Sequence, residues 1–243
     1  MRFLIRFSYD GTSYSGFQTQ KGKNTIQEKL ENALMEINNH QKTIVVATGR
    51  TDKGVHALSQ FAHADLQVNI TEAKLKRALN SHLPEDIHVI ETKIVEDSFH
   101  ARYQVREKTY VYTLNMGEYN PLERNTVFQY NYSLNVENMR IAISCFLGTH
   151  DFRSFVTDNK EKDNCVRTIT KALIKEKNQK LEFIFSGNGF LRYQVRNMVG
   201  ILIRVGEGKI SPEKVSEILE CKDRTKFGRT APPEGLCLVD VKY

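Results

Sequence analysis

Residues Gly49 to Ala57 read GRTDKGVHA. One carboxylate, Asp52, stands among Arg50, Thr51 and Lys53, and His56 follows Gly54. Adjacent cations favour the ionised form of a carboxylate. An ionised carboxylate can attack an electrophilic carbon or accept a proton. The glycines at 49 and 54 permit a tight or left-handed backbone on each side. A solvated turn closed by an Asx cap is the plain structural alternative, and the segment alone favours it. The loop is no Walker A loop, because it lacks the G-x-x-x-x-G-K-[ST] spacing.

Other residues invite a chemical reading. Tyr110 and Tyr112 in KTYVYTL alternate onto one strand face, where an aromatic can stack on a base; both also suit a sheet core. Arg192, Arg196 and Arg204 lie four and eight residues apart opposite Val195, Met198, Val199, Leu202 and Ile203. Such a stripe binds phosphates or is simply a solvated face. Arg196 can alternatively point inward and hold a carboxylate with its planar fork. FHAR (99–102) and GTHDFRSF (148–155) place His or Asp beside Arg and aromatic residues, and capped turns explain them equally well. The histidines show no metal-ligand spacing, so no metal is expected.

The elements that must position these residues are legible. Phe3, Ile5, Phe7 and Tyr9 alternate with Arg2, Leu4, Arg6 and Ser8, as in a half-buried strand. Thr25 and Glu28 form a capping-box pattern before a helix carrying Ile26, Leu30, Ala33, Leu34 and Ile37. Strands are predicted over 43–48, 59–68 and 87–96, with a helix over 71–81. The second half repeats this grammar: a strand over 108–117, an amphipathic helix over 135–148 ending at Gly148, and two strands joined at Asn178–Gln179. A long helix over 190–208, a short one after Ser211–Pro212 and a final strand over 235–243 complete it. The pattern predicts an α+β fold of two similar halves with antiparallel sheets. The boundary falls near 100–108, giving halves 1–104 and 105–243 and a cleft between them as the default place for a site.

Composition sets outer limits. Of 243 residues, 40% are hydrophobic and 26% charged, enough for a core without disulfides. Lys+Arg exceeds Asp+Glu by 35 − 29 = 6, a bias toward polyanionic partners. The four cysteines form no CxxC pair and read as thiols of a reducing compartment. No apolar run approaches bilayer-crossing length, and MRFLIRFSYDG reads as a strand rather than a leader. A cytoplasmic setting is expected.

In combination, the motifs go further. YDGTSYSGFQTQ, TIQEKLENAL, GRTDKGVHA, FHAR, KTYVYTL, GTHDFRSF, GNGFLRYQVRNMVG and APPEGLCLVDVKY follow one another along nearly the whole chain. In content and order they resemble the TruA family of tRNA pseudouridine synthases. The resemblance implies two pseudo-symmetric halves with a basic active-site cleft between them. It further implies a homodimer that grips tRNA, uses no cofactor, and converts uridine to pseudouridine in the anticodon stem-loop. The family's catalytic aspartate matches Asp52, its active-site tyrosine Tyr110, and its arginine near the aspartate Arg196. Arg50, Lys53, His56, Gln18, Arg102 and Arg192 are expected to bind the substrate. Where the family loop often has alanine, this chain has Thr48 and Lys53. Two rival readings are a non-catalytic RNA-binding protein of the same fold and a hydrolase using Asp52 with His56; the same chemistry on another RNA is a third.

Overall fold

A computed structural model describes residues 1–156, 164–223, 225 and 228–243. The chain divides into two compact units, Met1–Arg106 with Leu238–Tyr243, and Glu107–Cys237. The last six residues thus group with the first unit, whereas the sequence reading assigned them to the second half.

The first unit contains β1 (Arg2–Tyr9), α1 (Ile26–Ile37), β2 (Val46–Ala47), β3 (His56–Asp65), α2 (Glu72–His82) and β4 (Ile87–Val95). Its strand order is β4-β1-β3, continued by β10 (Leu236–Lys242), and β2 pairs with β3. Strand β1 is antiparallel to both neighbours. Its alternation does what the sequence implied: Phe3, Ile5, Phe7 and Tyr9 are buried. They share the core with Leu30 and Leu34 of α1 and Leu75 and Leu79 of α2. Burying each such side chain contributes roughly 1.5–3 kcal/mol relative to leaving it in water.

Two local expectations fail here. The apolar run at 43–48 yields only the two-residue β2. The capping box does not close either: Thr25 makes no side-chain cap, and its hydroxyl is buried without a partner. The first amides of α1 find other acceptors, as helix N-termini must. Ile26 and Gln27 donate to the carbonyls of Gly16 (3.4 Å) and Phe17 (2.9 Å). A loop from distant sequence has replaced the local cap.

The second unit contains β5 (Glu107–Asn115), β6 (Phe128–Gln129), α3 (Val136–Ile143), β7 (Gly148–Asp151), β8 (Val166–Lys177), β9 (Lys180–Gly187), α4 (Gln194–Gly206) and α5 (Glu213–Glu220). Strand order is β5-β9-β8-β7, antiparallel throughout, while β6 runs parallel to β5. In the first unit β1 lies between β4 and β3, and in the second β7, β8 and β9 form a meander beside β5; each unit gains one two-residue strand, and with the helices the class is α+β. The β8–β9 hairpin turns on Asn178 and Gln179, both left-handed at φ 51° and 61°, as a two-residue primed turn requires.

Helix α4 departs most from expectation. It starts at Gln194, because Tyr193 adopts a left-handed φ of 62° and the Gln194 side chain accepts the Leu191 N–H at 2.8 Å. Eleven of its thirteen residues are buried. Of the readings open for its arginines, a continuous exposed stripe is not what forms: Arg192 precedes the helix, and Arg196 and Arg204 are half-buried.

Candidate active site

The Asp52 loop, residues 49–55, connects β2 to β3 and is tied down from several directions. Gln60 of β3 donates to the Gly49 carbonyl at 3.1 Å. The Tyr9 and Thr51 hydroxyls lie 2.8 Å apart, and Phe17 N–H donates to the Thr51 carbonyl at 3.1 Å. The Val55 N–H closes a turn on the Asp52 carbonyl at 3.2 Å, over a left-handed Gly54 (φ +76°). Of the two glycines that permit such a backbone, only Gly54 uses it. Thr48, where the family often has alanine, donates to the Phe61 carbonyl at 3.0 Å and lies 2.9 Å from the Tyr243 hydroxyl.

Strand register contributes as well. Between Phe7↔Gln60 and Tyr9↔Ala57, β3 carries one residue more than β1. Such a bulge increases twist and redirects the chain beside it. Gly11, just past β1, passes so close that an added Cβ would sit 2.0 Å from the Val55 carbonyl oxygen. Asp52 is therefore held half-buried by contacts from β1, β3 and the 11–17 loop, while Arg50 and Lys53 are exposed.

His56 starts β3 and is buried. Gly11 N–H donates to its Nδ1 at 3.1 Å, and Asp10 Oδ1 lies 3.1 Å from the same nitrogen. That nitrogen serves Gly11 when it carries no proton and Asp10 when it does. Burial pushes the Asp10 carboxyl up, but the Thr12 hydroxyl and amide, with His56, outweigh it and hold the carboxyl below its ordinary value. His56 Nδ1 thus faces Asp10 and Gly11, and its Nε2 is buried without a hydrogen-bond partner. Gln18 and Arg102 are both exposed in this unit.

The second unit carries the remaining expected residues. Tyr110 is buried on β5, edge-on to Phe190 with ring centroids 5.2 Å apart. Tyr112 is fully buried and donates its hydroxyl to the Pro232 carbonyl at 2.9 Å, so it is a core residue. Arg196 Nε donates to the Ala231 carbonyl at 2.8 Å, and Ala231 N–H returns a bond to the Arg196 carbonyl at 3.1 Å. Thr230 donates to Asn197 Oδ1 at 2.8 Å. The 229–231 segment comes close enough that a Cβ on Gly200 would meet the Arg229 carbonyl oxygen at 2.0 Å.

Tyr193 was not singled out in the sequence. Its ring carries the Arg192 guanidinium 5.1 Å from the centroid and the Arg196 guanidinium at the same distance. A left-handed non-glycine residue costs roughly 1–2 kcal/mol, so the surroundings impose this conformation. The Tyr193 ring thus packs against the Arg196 guanidinium and limits where it can lie. Tyr193→Gly should relax the backbone and leave stability nearly unchanged, yet lower kcat about tenfold with little change in KM, the scale of one lost cation–π contact. Tyr193→Phe should restore most of the rate. Steady-state kinetics beside urea melts checks both.

His63 on β3 accepts the Ala101 N–H through Nδ1 at 3.1 Å. Burial, helped by Arg2 and His100, pulls its pKa down to about 4 from 6.5. The folded state therefore binds fewer protons than the unfolded chain between these values, and stability falls as pH drops through that window. The full linkage would be about 3 kcal/mol; solvent screening reduces the expected loss to ~1–2 kcal/mol. Urea midpoints at pH 7 and pH 4 should show it in the parent protein, and His63→Asn should lack that part.

Among the described residues, no group of three His, Cys, Asp or Glu side chains is placed to hold a metal ion. No helix among them is long and apolar enough to cross a membrane.

A family profile described as tRNA pseudouridine synthase matches residues 5–104 and 142–243. This chain belongs to that family. The matched blocks include the Asp52 loop and all of α4, so the synthase family encompasses both clusters just described. Synthases of this kind are isomerases, and the chain is an enzyme of that class. It is 44% identical over 247 aligned residues to tRNA pseudouridine synthase A of Limosilactobacillus reuteri (strain DSM 20016), covering 100% of this chain and 96% of the relative. It is also 44% identical over 245 residues to the Streptococcus pneumoniae (strain 70585) protein of the same name, covering 100% and 98%.

Proposed function

We propose that this enzyme isomerises uridine to pseudouridine in the anticodon stem-loop of tRNA, with Asp52, Tyr110 and Arg196 as its catalytic residues. The tRNA substrate is supported by full-length similarity to proteins that bear that name. The observation that carries the role of Asp52 is the convergence of Tyr9, Phe17, Gln60 and Gly11 on its loop, since a reacting carboxylate has to be held in place before substrate arrives.

The reaction breaks the bond from ribose C1′ to N1, turns the uracil, and joins C1′ to C5. The C5 proton leaves to solvent and N1 gains one, so the product is an isomer. Asp52 supplies the ionised carboxylate. The family resemblance assigns Arg196 the role of keeping that carboxylate ionised, as a nearby guanidinium does. Tyr110 stacks on the uracil displaced from its helix. Arg50, Lys53, Arg102 and Arg192 are exposed and suited to phosphates, which position RNA without reading its sequence. Gln18 and His56 belong to the same proposed binding set. A homodimer, as the resemblance implies, in a cytoplasmic setting, as the cysteine usage suggests, completes the reading.

The test maps pseudouridine in a tRNA transcript after incubation, by carbodiimide adducts and primer extension. Stops confined to the anticodon stem-loop are expected. Stops elsewhere, or only in another RNA, contradict the assigned target; binding without stops favours the non-catalytic reading.

A further inference from the structure

We infer that Tyr103, stacked on His100, is a landing platform for one unpaired nucleobase of the substrate RNA; this rests on the proposed RNA substrate. Tyr103 is 77% exposed. Its ring stacks on His100 with centroids 4.2 Å apart and planes at 28°. His100 in turn meets the buried His63 edge-on at 4.9 Å. One face of the tyrosine is thus covered by imidazole, and exposure that high leaves the other face to solvent.

The turn that displays the ring is anchored at many points. Arg2 donates to the carbonyls of Asp97 and Phe99. Ala101 is fully buried, gives its N–H to His63 and receives the Tyr243 hydroxyl on its carbonyl at 3.0 Å. The Arg102 N–H donates to His100 Nδ1 at 3.2 Å, and the Tyr103 N–H to the His100 carbonyl at 3.2 Å. A fold that needed Tyr103 only for packing would bury it; here the chain fixes the backbone and presents the ring.

The occupant follows from chemistry. A flat π face accepts any base by stacking. Arg102 and Arg106, which flank Tyr103 in sequence and are exposed, suit the phosphates next to that base, although Glu96 and Asp97 open the same turn. A paired base offers no open face, so the ligand is an unpaired nucleotide in a loop or single strand.

The chain has no tryptophan, so Tyr103→Trp installs a single indole at the platform. In an Asp52→Asn background, which needs only to bind, its emission is followed against a uridine-containing stem-loop and a blunt duplex of equal length. Quenching by the stem-loop and not by the duplex is expected. Tyr103→Ala should weaken stem-loop binding about tenfold, the effect falling on KM rather than kcat, and Tyr103→Phe should restore it. Stem-loop binding detected by filter retention without quenching, or unweakened in Tyr103→Ala, overturns the platform and leaves the proposed function standing. Quenching that grows with protein concentration in the absence of RNA overturns it in favour of a second copy of the chain. Failure of the parent protein to bind any RNA overturns both.

Discussion

Asparagine at position 52 is expected to reduce pseudouridine formation by roughly four orders of magnitude or more while RNA affinity stays within about twofold. The substitution preserves size and shape, exchanges one acceptor oxygen for an amide donor, and removes charge and nucleophilicity. The ties that hold the loop involve its backbone and its neighbours: the Gly49 carbonyl, the Thr51 hydroxyl and carbonyl, and the Val55 N–H. They remain when the Asp52 carboxylate is gone. The loss should therefore fall on the chemical step. Single-turnover assays with nucleoside analysis, run beside equilibrium binding, separate the two. A rate within tenfold of the parent would place the reacting carboxylate elsewhere.

The second large effect lies at a residue without a functional group. Gly11→Ala should cost about 3 kcal/mol of stability, the upper range for forcing an atom into packed surroundings. The Cβ would meet the Val55 oxygen at 2.0 Å and its carbonyl carbon at 2.6 Å. Both are backbone atoms, so no side chain can swing aside. Relief requires the Asp52 loop and the end of β1 to separate, which also breaks the Gly11 N–H bond to His56. Activity should fall further than the fraction of folded protein explains. Urea denaturation with activity measured well below the midpoint tests this; parent-like stability would mean that the two segments separate easily. Gly16→Ala should act in the same direction, since Gly16 has φ +99° and lies 3.0 Å from the Thr51 carbonyl oxygen by the same measure.

Much of the scaffold was legible wherever local pattern decides structure. The alternation of β1 and the Asn178–Gln179 hairpin follow from period and turn chemistry, because neighbours in sequence are the ones that matter there. Reading failed where distant residues intervene. Thr25 looked like a cap, but the Gly16 and Phe17 carbonyls supply the acceptors. The arginine spacing in α4 looked like a wet stripe, but the 229–231 segment covers that face and bonds Arg196 and Asn197. The site divides in the same way. Asp52 stood out through its charged neighbours, whereas the residues that fix its loop lie 11 to 44 positions from the atoms they touch and carry ordinary side chains. Tyr193 escaped because nothing in sequence marks a tyrosine as left-handed, and Tyr103 because exposure is invisible before folding.

The most direct measurement uses tRNA transcript tritiated at uridine C5. Formation of the C1′ to C5 bond expels that hydrogen, so release into water counts turnovers. Stoichiometric release by the parent protein, matched by pseudouridine formed, is expected, and none above background with Asp52→Asn at equal bound RNA. Tight tRNA binding with no release by the parent, or undiminished release by the variant, would contradict the proposed function.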